Sequence, residues 1–213
     1  MDLHDLFLIL HLLLFCYWLG ADLGVFYSSG MVIDPSLSDP ARATAAKIMV
    51  NLDLVPRICM SLMLTVGGIL SEFKGVPHPT WQMVGIVLLG PAWLAMVLTV
   101  HLQEGSDLGK TVAKVDYWFR VVLVVYLLIS VGVSFAWGSL GQFPWVGAKL
   151  VVFAGLVFCG IMIRRFIGPY ASGIHALATT GSNDEINAAM AKSLGQCRPF
   201  VLAIWAGLLV EVW

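Results

Sequence analysis

The chain has 213 residues, 59% of them hydrophobic and 12% charged, whereas a soluble domain carries about a quarter charged residues; a soluble globular fold is all but excluded. Twelve Lys and Arg against thirteen Asp and Glu give a net charge of −1, so no basic surface exists to hold nucleic-acid phosphates and that partner class is dropped. Cys16, Cys59, Cys159 and Cys197 form no C-x-x-C pair, which removes the usual zinc and thioredoxin-type signatures.

A helix needs about 20 mostly apolar residues to cross a hydrocarbon layer about 30 Å thick, and six stretches meet or approach that length. The first covers residues 6–27. The residues before it, Met1-Asp2-Leu3-His4-Asp5, lack the positive region of a secretory signal, so it is expected to stay as a membrane span. His11 lies in its densest apolar run, Leu8 to Leu14. An unpaired imidazole there would carry an uncompensated desolvation cost. Haem iron, copper or a hydrogen bond to a neighbouring helix would each satisfy it. Gly20-x3-Gly24 is a small-x3-small pattern that favours close helix packing or self-association.

Asp39-Pro40 reads as an N-cap and first-turn proline, which starts the second helix ahead of its span at 48–70. In that span Asp53 and Arg57 stand four apart, the acid N-terminal, as an ion pair on one helix face requires. Arg57 follows Pro56, which frees the carbonyl of Leu52. An arginine at such a kink reads equally as the holder of an anion, a carboxylate or propionate, or as the partner of Asp53.

The third span, 81–102, ends on His101, read as an interfacial solvated histidine. Asp116 and Arg120 open the fourth, 117–137, and are expected to snorkel to the interface. Lys149 follows Trp145 by one turn at the start of the fifth, 145–166. It either snorkels to the headgroups or offers a cation to an anionic substrate or haem propionate. Ser182-Asn-Asp-Glu185 reads as a capping box opening a short helix that ends near Gly195. The sixth span is 199–213.

The first, third and fifth loops hold Arg42, Lys47, Lys110, Lys114, Arg164, Arg165, Lys192 and Arg198, while the remaining loops and both ends hold only Lys74. This bias places the odd loops in the cytoplasm and both termini outside. Trp81, Trp137, Trp145 and Trp213 then fall at outer helix ends, as an interfacial belt does. At about 1.5 Å per residue, His11, Lys149 and Met63 lie about 8, 6 and 10 Å below the outer surface, a depth at which they can share one pocket. The expectation is an all-α, polytopic bundle of about six spans, one integral membrane domain over residues 1–213, multi-pass in the cell membrane, or in the inner membrane of a bacterium.

Several of these residues form a pattern. His11-x6-Trp18-x-Gly20 followed by Phe26-Tyr27 resembles the opening helix of HemJ-type protoporphyrinogen oxidases and the related CopD-like membrane proteins. Arg57-Ile58 leading to Met63-Leu64-Thr65-Val66-Gly67 is similar to the second HemJ helix, and Trp145-x3-Lys149-Leu150 to a later one. The last span, Phe200-Val-Leu-Ala-Ile204, matches only as an apolar helix, so the resemblance covers four of the six spans. It implies haem b served by His11, and Arg57 and Lys149 needed for activity, binding propionates of haem or of a porphyrin substrate; the residues themselves leave the second iron ligand open between Met60, Met63, a loop histidine such as His78, and none. The chain departs from the family in the pair of helices from Trp81 to Trp137, in the tighter Trp18-x-Gly20 spacing and in Pro56 ahead of Arg57.

Three functions follow. The leading one is a haem-dependent membrane oxidoreductase passing electrons to a quinone or another acceptor, since the chain carries no flavin fingerprint. The second is CopD-like copper handling, using His4, His11, His78, Met60 and Met63. The third is a non-catalytic subunit or assembly factor of a larger membrane complex.

Overall fold

The structure is a computed structural model that describes residues 2–212, apart from the side chains of Trp137 and Ser139. Its helices are α1 (Leu3–Val32), α2 (Asp39–Phe73), α3 (Thr80–Leu102), α4 (Asp107–Trp137), α5 (Pro144–Phe166), α6 (Gly168–Thr179) and α7 (Asp184–Val210), with a 3-10 turn at Ser139–Gly141. No strand occurs among the described residues. All but α6 are long and apolar enough to cross a membrane, and the chain is a multi-pass membrane protein. Trp81 and Trp145 are exposed at the start of α3 and α5; Trp213 and the side chain of Trp137, the other members of the expected belt, lie outside the described residues.

The chain divides into two compact units. The first holds the chain up to Trp18 together with Val55–Gly155; the second holds Leu19–Leu54 and the chain from Leu156 onward.

In the first unit, α1 packs along a narrow seam. His4, Phe7, His11, Leu14 and Trp18 recur at intervals of three and four and are buried or half-buried, while Leu6, Leu8, Ile9, Leu12, Leu13 and Tyr17 between them are exposed. Three-and-four spacing keeps one stripe of a helix turned toward its neighbours. The seam meets Phe73 of α2 through His4 and Phe7, and Phe153 of α5 through Trp18.

A second lock joins α2 to α3. Pro91 interrupts the α3 ladder, and the Thr65 hydroxyl enters the turn before it, donating to Ile86 O at 2.5 Å and accepting from Gly90 N at 2.8 Å. The side chain thus serves backbone groups beside a proline, as membrane helices require where no water can do so. A β-carbon at residue 90 would lie 2.6 Å from Thr65 Oγ1, so only glycine fits.

The second unit is built around Val32, Ala45, Ala46, Tyr170, Leu177, Met190 and Leu194. Gly173 lets α6 close onto Met190 of α7, whose side chain fills the space of a β-carbon. Tyr170 donates its hydroxyl to Ser29 O at 3.1 Å, and burial pushes its phenol above the ordinary range. Arg42, 1% exposed, ties three segments together: its Nε donates to Val32 O at 2.7 Å, Nη2 to Asn187 Oδ1 at 2.7 Å and Nη1 to Asp39 Oδ1 at 3.4 Å.

Three local features differ from what the sequence predicts. Asp39 is the first residue of α2 and does not cap it; its carboxylate accepts both the N–H and the hydroxyl of Ser182, each at 2.8 Å. With Ser182 drawn to Asp39, Asn183 caps α7, accepting from Ile186 N at 2.8 Å. The helix that begins there does not stop near Gly195 but runs through Pro199 to Val210. One proline removes a single ladder bond, and continuing buries Cys197, Ile204 and Leu208. The preceding α6 had no clear sequence signal, since its residues are divided between apolar and small polar types.

Candidate functional site

Within the first unit the α1 seam brings His11 against Gly67 of α2. A β-carbon at residue 67 would stand 3.3 Å from His11 Cε1 and 3.9 Å from Nδ1, so the ring packs closely against the bare backbone of Gly67. Its Nδ1 is buried and has no hydrogen-bond partner among the described residues. Buried polar atoms are nearly always paired, and an orphan calls for an explanation such as an absent ligand. The imidazole is held by packing from α2 rather than by a hydrogen bond.

Lys149, half-buried on α5, is near enough for its charge to bear on His11. Met63 lies one turn before Gly67 on α2 and is buried. Arg57 is half-buried on the same helix, but ten residues before Gly67 it stands about 15 Å further along the axis. The structure therefore seats the imidazole against the Gly67 turn, with Lys149 close enough for its charge to be felt, and puts Arg57 at another level. An imidazole with a buried, unused nitrogen beside a cation fits a group that offers both a metal and an anionic edge, so the residues present are compatible with haem.

The polar centre that sequence reasoning missed lies deeper in the same unit. Asp116 and Arg120 do not snorkel; they are 0% and 3% exposed. Arg120 Nε donates to Asp116 Oδ2 at 3.0 Å, Trp93 Nε1 of α3 donates to Asp116 Oδ1 at 2.9 Å, and Arg120 Nη1 donates to Met60 Sδ of α2 at 3.5 Å. The guanidinium also lies over the Trp93 indole, 5.1 Å from its centroid. Asp116 takes one bond from the guanidinium and one from the indole, and the opposite charges lie in direct contact, which is the condition for a buried ion pair to persist. The signal available in the sequence was Trp93, whose N–H needs an acceptor once the ring is buried.

The acidic group Asp2, His4 and Asp5 at the start of α1 brings its ligand-type atoms within 4.8 Å of one another, and His78 pairs with Glu72 at 2.7 Å. Both are partly exposed. The Gly20-x3-Gly24 pattern divides: Gly24 faces Leu52 of α2, 3.0 Å from a β-carbon placed there, whereas Gly20 has nothing within 4 Å.

The chain matches no protein-family model, no curated protein and no solved structure.

Proposed function

We propose that this chain is a haem-binding membrane oxidoreductase of HemJ-like type, oriented with its N-terminus outside the cell membrane. The observation that carries the reading is the buried, unpartnered Nδ1 of His11, seated against Gly67 with Lys149 close by. In this reading His11 would supply the iron ligand, with Met63, one turn from Gly67 on α2, the candidate second ligand. Lys149 holds a propionate of the haem, and Arg57, at its separate level, holds an anionic group of a porphyrin-type substrate. Haem, when bound, would supply one-electron transfer to a quinone or another acceptor. The chain's own contribution is to exclude water, fix the imidazole by packing and set fixed positive charges around the site.

Haem supplementation of the purified protein tests this directly. Wild type should develop a Soret band near one haem per chain. Arg57→Ala and Lys149→Ala should keep the band while substrate-dependent quinone reduction falls at least about tenfold, the effect of losing one charge-assisted hydrogen bond. No Soret band with stoichiometric Cu(I) binding lost in His11→Ala would replace this reading with copper handling. Activity that survives substitution of both His11 and Arg57, together with co-purifying subunits, would replace it with an assembly role.

A further inference from the structure

In the second unit, α1 and α7 meet along a seam of three rungs. Trp205 Nε1 donates to Asp22 Oδ2 at 3.1 Å. One turn along α1, the Phe26 ring lies 5.1 Å from the Trp205 ring. Arg198, seven residues before Trp205, lays its guanidinium over Phe26 at 5.2 Å from the centroid, and its Nη2 would stand 3.7 Å from a β-carbon at Gly30. Phe26 therefore fills the turn between the acid of the seam and its cation, and Asp22 is engaged by the indole instead.

This leaves Arg198 unlike the other arginines that the fold encloses. Arg42 has Asp39 and Arg120 has Asp116. Among the described residues Arg198 has neither hydrogen bond nor ion pair; its Nε is buried and unpartnered, so the two Nη groups form its open edge. A half-buried guanidinium without a counter-charge is costly, and a cation–π contact returns only about 0.5–2 kcal/mol. A planar pair of Nη donors matches a phosphate bidentately. Arg198 also directly precedes Pro199, where the apolar part of α7 begins, which is the level at which lipid phosphates lie.

We propose that Arg198 anchors an anion site on the α1–α7 seam that takes the phosphate of an anionic membrane lipid. The site is independent of His11 and of any haem. Phe26 and Gly30 form its floor, the first by stacking and the second by leaving room for Nη2.

Native mass spectrometry of the full chain in detergent, titrated with phosphatidylglycerol, phosphatidylcholine or inorganic phosphate, tests it. Wild type should retain one phosphatidylglycerol in preference to phosphatidylcholine. Arg198→Gln should weaken that occupancy about tenfold or more, as expected for a lost charge-assisted bond. Arg198→Lys should retain part of it. Lys192→Gln, which removes an exposed charge from the same helix, should leave it unchanged. Equal retention of the two lipids by wild type overturns the proposal whether or not any variant folds. So does equal phosphatidylglycerol occupancy in wild type and Arg198→Gln, or inorganic phosphate displacing the lipid at matched concentration.

Discussion

One absent β-carbon decides where the His11 imidazole sits. Gly67→Ala brings a methyl to 3.3 Å from His11 Cε1, so the ring must give by a few tenths of an ångström. The expected result is a stability loss of about 1–3 kcal/mol, the usual effect of overpacking, seen as a lower thermal midpoint in detergent. It should be accompanied by weaker haem retention. Gly90→Ala is more severe in kind, because it pushes Thr65 out of the Ile86–Gly90 turn and removes a hydrogen bond as well as space. Gly20→Ala, with nothing within 4 Å, should leave the midpoint unchanged; a loss there equal to that of Gly90→Ala would contradict the packing described.

At the scale of elements, the Asp116–Arg120 pair holds α4 to α2 and α3. Asp116→Ala or Arg120→Ala should each destabilise by about 3–5 kcal/mol, since either leaves a buried charge uncompensated. The double substitution Asp116→Leu with Arg120→Met should lose less than the sum of the single ones in a thermal double-mutant cycle. Additive losses would mean that the two charges do not interact. This centre also marks where the sequence stops being legible. The six spans could be read because each is a continuous local property of about 20 apolar residues. Along its own helix Asp116 falls at the interface, whereas the partners that hold it and Arg120 inside, Trp93 and Met60, come from other helices. Likewise, Asp39 carried the composition of a cap, and only the fold brings Ser182 to it as a stronger claimant. His11 was legible as an unsatisfied group within an apolar run. That Gly67 seats it was not, because a glycine in a membrane helix has many other uses.

At the scale of the molecule, the basic residues predict a definite orientation. Single cysteines at Ser36, Glu104 and Thr180 should be protected from an impermeant maleimide in intact cells, while those at Lys74 and Gln142 should be labelled. The opposite pattern would invert the orientation and put the α1 end that carries His11 on the cytoplasmic side. The charges that remain inside the spans are few, and most are matched: Asp116 with Arg120 and Trp93, and Asp22 with Trp205. Against that background, His11 Nδ1 in α1 and Arg198 Nε in α7 are buried groups for which the described residues supply no partner, and the first is the one that can ligate a metal. The reduced-minus-oxidised absorption spectrum of the purified protein tests that claim most directly, with wild type compared with His11→Ala and with His101→Ala as a control. A haem signature is expected in wild type and in His101→Ala and should be lost in His11→Ala; an unchanged signature in His11→Ala would mean that this imidazole does not hold the iron.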